Sequence, residues 1–134
     1  MHLSPVRILV VDDFEPWRRF ACSLLREKPE LQVVGEASDG LEAVQKARQL
    51  KPDLILLDIH LPRLNGLGVA GQIRKLALES KIIFLTQEYS AEVAQVASMS
   101  ARGYVVKASA ATELLAAVEA VLSGKSFVSG TKED

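Results

Sequence analysis

Three short and almost unbroken apolar runs limit the folds open to this chain more than any other feature of its sequence. The runs are Val6–Val11, Leu54–Leu57 and Ile82–Leu85, and each consists mainly of Val, Ile and Leu. Strands that are apolar on both faces belong to the interior of a parallel sheet that helices cover on each side. The three runs therefore predict the central strands of a helix-covered parallel sheet.

Two weaker apolar runs, Leu31–Ala37 and Gly103–Val106, are predicted to form the edges of that sheet. The first contains polar residues and the second is short, and such strands suit the edges of a sheet better than its centre. Helical patterns alternate with the five strands, and this alternation is typical of a doubly wound α/β domain. Right-handed crossovers and the two polar edges favour the strand order 2-1-3-4-5.

Polar residues and a glycine mark the predicted helix ends. Asp39, Asn65 and Ser90 each precede a helical pattern and are predicted to cap it, and the fourth helix is predicted over Ala91–Met99. Gly124 is predicted to end the last helix in the left-handed conformation.

The size, charge and cysteine content of the chain narrow its class further. Its 134 residues suit one domain, and 16 Lys and Arg against 17 Asp and Glu give no basic surplus for binding nucleic acid. The single cysteine, Cys22, has no disulfide partner in the chain, and no apolar run is long enough to span a membrane, so we expect a soluble cytoplasmic protein. The domain is predicted over residues 1–124, whereas residues 125–134 lose the helical periodicity and are predicted to be a linker or C-terminal tail.

Polar side chains stand where four of the predicted strands end. Asp12 and Asp13 follow the first strand, Asp58 follows the third, Thr86 ends the fourth, and Lys107 follows the fifth. Ligands of an open parallel sheet bind at the carboxyl ends of its strands, so these side chains should share one site. Three carboxylates with one lysine indicate a divalent cation held by oxygen atoms, namely Mg²⁺. An aspartate beside Mg²⁺ can attack a phosphoryl group, so the residues predict reversible phosphoryl transfer onto Asp58.

Four stretches of the sequence, ILVVDDFEPWRR, PDLILLDIHLPRLNGL, IIFLTQ and GYVVKASA, carry a resemblance to a known family. The chain resembles the receiver domains of response regulators in two-component signalling, over residues 6–124. PDLILLDIHLPRLNGLGVAGQIRK and AVEAVLSGKSFVSG are most similar to receivers of the LuxR/FixJ-type (NarL-like) transcription regulators. The resemblance implies a flavodoxin-like (βα)5 fold, a sensor histidine kinase as phosphodonor, and homodimerisation as an option. It also implies that DNA is contacted only through an output domain that these 134 residues do not include.

The resemblance assigns the cation and the phosphoacceptor to particular residues. It implies that Asp58 is the phosphoacceptor and that Asp13 and Asp58 bind Mg²⁺ directly. Asp12 would act mainly through water, and the main-chain carbonyl of His60 would complete the protein ligands. A domain of this kind is not an enzyme with a separate substrate, because it catalyses only its own phosphorylation and dephosphorylation.

The resemblance also implies how phosphorylation would change the conformation of the domain. Thr86 and Lys107 would contact the phosphoryl group, and Tyr104 would change rotamer together with Thr86, turning inward on phosphorylation. On phosphorylation, the surface formed by the fourth helix, the fifth strand and the fifth helix would change its packing.

Three residues beside the predicted site are expected to tune its lifetime. His60 lies two residues after Asp58, and Gln87 and Glu88 directly follow Thr86. The position of Gln87 usually carries a small residue in the family. Because a long amide there would narrow the access of attacking water, the aspartyl phosphate is predicted to outlive that of a Gln87→Ala variant.

Residues of the first helix have simpler interpretations. Trp17 and Phe20 recur at helical spacing and are predicted to lie in the core. Arg18 and Arg19 are predicted to be solvated, and Cys22 is predicted to be a partly buried and inert thiol.

Two other functions remain open from the sequence. Gly66–Gly71 reads G-x-G-x-x-G, as in dinucleotide-binding sites, but seven residues separate it from Asp58, whereas such a motif directly follows a strand. Gly66 is therefore expected to relieve the loop instead. The other alternative is a pseudo-receiver that keeps the fold as an interaction scaffold without being phosphorylated, and Gln87 is its best support.

Overall fold

A six-stranded parallel sheet forms the middle layer of the molecule, with helices on both of its faces. The computed structural model describes residues 4–76 and 78–129. In chain order the elements are β1 (Val6–Val11), α1 (Glu15–Leu25), β2 (Leu31–Ala37), α2 (Gly40–Leu50), β3 (Leu54–Asp58), α3 (Gly66–Lys75), β4 (Lys81–Thr86), α4 (Ala91–Ala97), β5 (Gly103–Val106), α5 (Ala110–Leu122) and β6 (Phe127–Val128). A single 3₁₀ turn, Lys107–Ser109, joins β5 to α5.

The strand order is 2-1-3-4-5-6, which confirms the predicted order 2-1-3-4-5 and adds a sixth strand. The five-strand prediction is therefore wrong in number, and β5 is not an edge. The added strand pairs with β5. The amide of Phe127 donates to the carbonyl oxygen of Arg102 at 2.9 Å. The amide of Ser129, the next residue after the strand, donates to the carbonyl oxygen of Tyr104 at 2.7 Å. Two residues are too few to show a strand period, so no sequence pattern indicates this strand. It lies inside the segment predicted to be a tail, of which residues 130–134 fall outside the described part of the chain.

The alternation of side chains along the central strands divides the core into two layers. Leu9, Ile55 and Phe84 point to the face that α2, α3 and α4 cover, whereas Ile8 and Leu56 point to the face that α1 and α5 cover. All five residues are fully buried. Both faces of the central strands are thus apolar, as the unbroken runs in the sequence predict.

Side-chain caps begin the helices where the sequence predicts them. The side chains of Asp39, Asn65 and Ser90 accept hydrogen bonds from amides in the first turns of α2, α3 and α4 at 2.8, 2.9 and 3.2 Å. Gly124 has a φ of 85° and follows the end of α5, so the predicted left-handed stop is confirmed.

Two predictions about side-chain burial and helix length are wrong. Phe20 is 41% exposed, because Trp17 covers this part of the core and Phe20 packs edge-on against its ring with the centroids 6.2 Å apart. The fourth helix ends at Ala97 instead of Met99, and Met99 is 73% exposed. Cys22 is 2% exposed and thus more deeply buried than the partial burial predicted, and burial raises the pKa of its thiol. Within residues 4–76 and 78–129, no helix has the length and apolar character that crossing a bilayer requires.

Candidate phosphoacceptor site

Three carboxylates from two neighbouring strands meet at the carboxyl edge of the sheet, and we call them the acidic cluster. Asp12 and Asp13 follow β1, and Asp58 ends β3, which pairs with β1. One carboxylate oxygen of each lies within 4.8 Å of those of the other two. Asp12 and Asp58 are buried, whereas Asp13 is exposed. The predicted convergence of the three carboxylates is confirmed.

Lys107 supplies the positive charge closest to this cluster. It begins the turn that follows β5, and its side chain is only 9% exposed. Its Nζ lies 2.5 Å from Asp12 Oδ2 and 3.4 Å from Asp58 Oδ2. It also lies 5.0 Å from the centroid of the Trp17 ring. One ammonium is therefore shared between two buried carboxylates and an indole face.

The charge balance of the cluster favours a further cation. Burial raises the pKa of Asp58, and the neighbouring Asp12 carboxylate raises it further, whereas Lys107 and the amide of His60 act in the opposite direction. Asp12 Oδ2 is buried and accepts no well-aligned hydrogen bond from the described residues. Oxygen ligands with excess negative charge at an open edge suit Mg²⁺, which retains several waters. The residues present therefore fit a magnesium ion.

Backbone and arginine contacts fix Asp12 in place. The amide of Phe14 donates to Asp12 Oδ1 at 2.9 Å. Arg18 Nη1 donates to the main-chain oxygen of Asp12 at 2.8 Å, while its Nε lies 3.0 Å from Glu36 Oε1. The prediction that Arg18 is solvated is wrong, because its side chain is only 15% exposed. Arg19 is solvated as predicted, with 75% of its side chain exposed.

The chain after Asp58 turns tightly back toward the strand. The amide of His60 donates to Asp58 Oδ1 at 3.1 Å, and that of Gly66 donates to the carbonyl of Ile59 at 2.8 Å. A Cβ on Gly66 would lie 2.4 Å from the main-chain oxygen of Asp58, so the turn requires glycine for close approach. The expectation that Gly66 relieves the loop is thereby explained.

The G-x-G-x-x-G stretch does not form a phosphate-binding loop. Gly66–Gly71 lies inside α3, and seven residues separate it from the end of β3. The amides of Gly66 and Gly68 already donate to Ile59 and to the Asn65 side chain. A dinucleotide site needs such amides free to face the phosphates, so the geometry argues against that alternative.

The other predicted site residues line a cleft of about 230 Å³ beside the acidic cluster. The cleft is bordered by His60, Thr86, Gln87, Glu88 and Tyr104, among others. Thr86 is buried, and its hydroxyl donates to the main-chain oxygen of Glu88 at 3.2 Å, so that it is not bonded to Asp58. Gln87, Glu88 and His60 are exposed.

Tyr104 already lies inside the protein. It is 3% exposed, and its hydroxyl oxygen lies 3.3 Å from the amide of Ser90 and 3.5 Å from the carbonyl oxygen of that residue. The Tyr89 ring packs edge-on against it with the centroids 5.9 Å apart. This buried position is the inward one, and the expectation that Tyr104 turns inward on phosphorylation stays a prediction.

Sequence reasoning missed the contacts that Trp17, Arg18 and Ser90 make at the site. Trp17 lies in the first turn of α1, four residues after Asp13, and this proximity is the signal that could have found it, whereas no local pattern separates Arg18 from Arg19. The sequence predicts Ser90 as a helix cap, but the contact of its backbone with Tyr104 depends on a rotamer that no sequence pattern specifies.

Comparison with known proteins identifies the family. The response regulator receiver domain family matches residues 8–119. The chain is 36% identical over 121 residues to the transcriptional regulatory protein LiaR of Bacillus subtilis, covering 90% of this chain and 57% of that protein. It is 33% identical over 127 residues to the nitrate/nitrite response regulator NarL of Escherichia coli, covering 94% of this chain and 59% of that protein. The chain belongs to the receiver domain family of response regulators.

The fold agrees with solved structures of the same family. A LuxR-family two-component response regulator from Aurantimonas superposes with a TM-score of 0.87 at 34% identity, over 92% of this chain and 89% of that one. The similarity to LuxR-type transcription regulators that the sequence indicates is thus confirmed. The chain spans less than two thirds of the length of the two regulators compared above.

Proposed function

We propose that this receiver domain accepts a phosphoryl group on Asp58 with the aid of Mg²⁺ and switches conformation to control an output. The observation that carries the proposal is the position of Asp58. One carboxylate oxygen of Asp58 lies within 4.8 Å of an oxygen of Asp12 and of an oxygen of Asp13. The Lys107 ammonium lies 3.4 Å from Asp58 Oδ2. The cation would be held by Asp13 and Asp58, by Asp12 through water, and by the carbonyl of His60.

In the proposed transfer, an Asp58 carboxylate oxygen attacks phosphorus while the bond to the donor breaks and its electron pair leaves with the donor group. Bound Mg²⁺ would offset negative charge on the phosphoryl oxygens. Lys107, which the acidic cluster already holds at this edge, would contact one of those oxygens. The Thr86 hydroxyl would have to leave the carbonyl of Glu88 to contact another.

This change at Thr86 would shift the equilibrium between two packings of the surface formed by α4, β5 and α5. Tyr104 would change rotamer together with Thr86, and its contacts with Ser90 would change with it. The short helix α4 fully buries Ala97 and packs only Val93 and Ala94 besides it against the core, so little apolar contact holds it in one position.

Similarity to transcription regulators supports a sensor histidine kinase as donor and DNA as the target of a separate output domain. A homodimer and a cytoplasmic location are proposed on the same grounds. The domain boundary at residue 124 also remains a proposal, although β6 shows that pairing with the sheet continues to Val128.

Magnesium is expected to stabilise the protein through the acidic cluster. At ~100 times its dissociation constant the ion adds about 2.7 kcal/mol to the free energy of unfolding, which raises the thermal midpoint by roughly 10 °C. Asp13→Asn should lose most of this shift while remaining folded, because Asp13 is exposed. Calorimetry with and without Mg²⁺ measures the effect.

The matched control is Glu27→Gln, which removes one negative charge at an exposed position between α1 and β2. It should keep the full shift. A Mg²⁺ shift of equal size in Asp13→Asn and Glu27→Gln would contradict the proposed cation site.

The aspartyl phosphate is expected to decay faster in Gln87→Ala than in the wild type. Gln87 borders the same cleft as Thr86 and His60, and a shorter side chain there should admit water more readily. The decay is followed by intact mass after removal of the phosphodonor. Decay that is equal or slower in the variant would reject this role for Gln87.

A further inference from the structure

The indole ring of Trp17 lies against the lysine of the phosphoacceptor site. Lys107 Nζ is 5.0 Å from the centroid of this ring, within the range of a cation–π interaction. The same Nζ faces Asp12 Oδ2 at 2.5 Å and Asp58 Oδ2 at 3.4 Å. The ammonium is therefore surrounded by two carboxylates and one aromatic face, with its side chain 9% exposed.

The position of the ring is itself well defined. Trp17 lies in the first turn of α1, one residue after Pro16, and its amide donates to the carbonyl of Phe14 at 3.1 Å. Phe20 packs edge-on against the ring. The next residue, Arg18, bonds to the main-chain oxygen of Asp12. The first turns of α1 thus contact both the aspartate and the lysine of the site.

We propose that Trp17 is a positioning residue that holds the Lys107 ammonium at the phosphoacceptor site. This inference rests on the proposed phosphoryl transfer. An ammonium has three N–H donors, and the two carboxylates use at most two of them, so one donor remains to contact a phosphoryl oxygen. A carboxylate or amide neighbour would compete for that donor, whereas an aromatic face attracts the cation without accepting a strong directional hydrogen bond. Trp17 therefore restrains the ammonium and leaves this donor available.

A role in packing alone makes a different prediction from a role in positioning. Trp17 also packs against the core beneath α1 and α5, and a packing role would depend on side-chain volume and apolarity. A positioning role depends on the electron-rich ring face, which is strongest for Trp, weaker for Phe and absent in Leu. The variants Trp17→Phe and Trp17→Leu separate the two roles.

The first test is the rate of phosphorylation of the full chain by acetyl phosphate and Mg²⁺, followed by intact mass. We expect Trp17→Leu to slow the reaction on the order of ten-fold, and Trp17→Phe to recover much of the rate. The Mg²⁺ affinity of Trp17→Leu, measured from the thermal midpoint, should be unchanged because no cation ligand is altered. Lys28→Met, at an exposed position between α1 and β2, should react at the wild-type rate.

The second test needs no phosphorylation. Trp17 is the only tryptophan in the chain, so its fluorescence reports the contact directly. Lys107→Met should change the emission, whereas Lys28→Met, at an exposed position, should not. Identical emission from the wild type and Lys107→Met would overturn the inference.

The outcomes also separate this inference from the proposed function. A phosphorylated wild type with an equally fast Trp17→Leu variant would overturn the role of Trp17 alone. A rate that falls equally in Trp17→Leu and Trp17→Phe, with reduced Mg²⁺ affinity in both, would assign Trp17 to packing and also overturn it. Absence of any phosphoryl gain in the wild type would overturn the proposed function and the inference together.

Discussion

Replacing Lys107 by methionine is expected to lower the free energy of unfolding by about 3–5 kcal/mol in Mg²⁺-free buffer. The substitution keeps most of the side-chain volume but removes the charge that faces Asp12 at 2.5 Å and Asp58 at 3.4 Å. Asp12 is fully buried and Asp58 is 3% exposed, so the two carboxylates would repel each other with little screening by solvent. Denaturant unfolding of both proteins gives the difference.

Addition of Mg²⁺ should recover a large part of this loss, because the ion supplies positive charge to the same carboxylates. Lys28→Met removes a lysine at an exposed position and should change stability by no more than about 0.5 kcal/mol. A loss in Lys107→Met no larger than in Lys28→Met would show that Lys107 does not balance the acidic cluster.

The substitution Gly40→Ala is expected to lower the free energy of unfolding by about 3 kcal/mol, at the upper end of the usual range for overpacking. A Cβ there would lie 1.8 Å from the main-chain oxygen of Leu64 and 2.6 Å from its carbonyl carbon. These are backbone atoms, so no rotamer change relieves the overlap. The loop between β3 and α3 would have to move, and the 3.2 Å hydrogen bond from the Gly40 amide to the Pro62 carbonyl would be strained.

Gly71→Ala is the matched control, because a Cβ at Gly71 meets no atom within 4 Å. Gly71 lies within α3, where alanine is preferred to glycine, so this variant should gain about 0.5–1 kcal/mol. Chemical denaturation of the two variants and the wild type provides the comparison. Equal stability of Gly40→Ala and Gly71→Ala would contradict the close approach of α2 to the loop after Asp58.

The sheet and the main site residues were predictable because each depends on a local pattern. Unbroken apolar runs distinguish buried parallel strands, and the carboxyl ends of such strands meet at one edge. Asp12, Asp13, Asp58 and Lys107 could therefore be brought together without coordinates. The helix caps were predictable for a similar reason, since Asp39 bonds to an amide only three residues away.

The remaining features depend on contacts between distant parts of the chain. A two-residue strand such as Phe127–Val128 has no period of its own and exists because β5 offers it a partner. Nothing in the sequence distinguishes Arg18, which is bonded to Asp12 and Glu36, from the exposed Arg19 beside it. The inward position of Tyr104 likewise depends on its bonds to Ser90 and on the packing of Tyr89.

The central claim is that Asp58 is a phosphoacceptor, and intact mass spectrometry tests it most directly. Wild-type protein and Asp58→Ala are incubated with acetyl phosphate and Mg²⁺ and then compared. The account predicts that the wild type gains one phosphoryl group and that Asp58→Ala gains none. A wild type that gains no phosphoryl group even with a cognate kinase, as expected for a scaffold, or a gain that persists in Asp58→Ala, would contradict it.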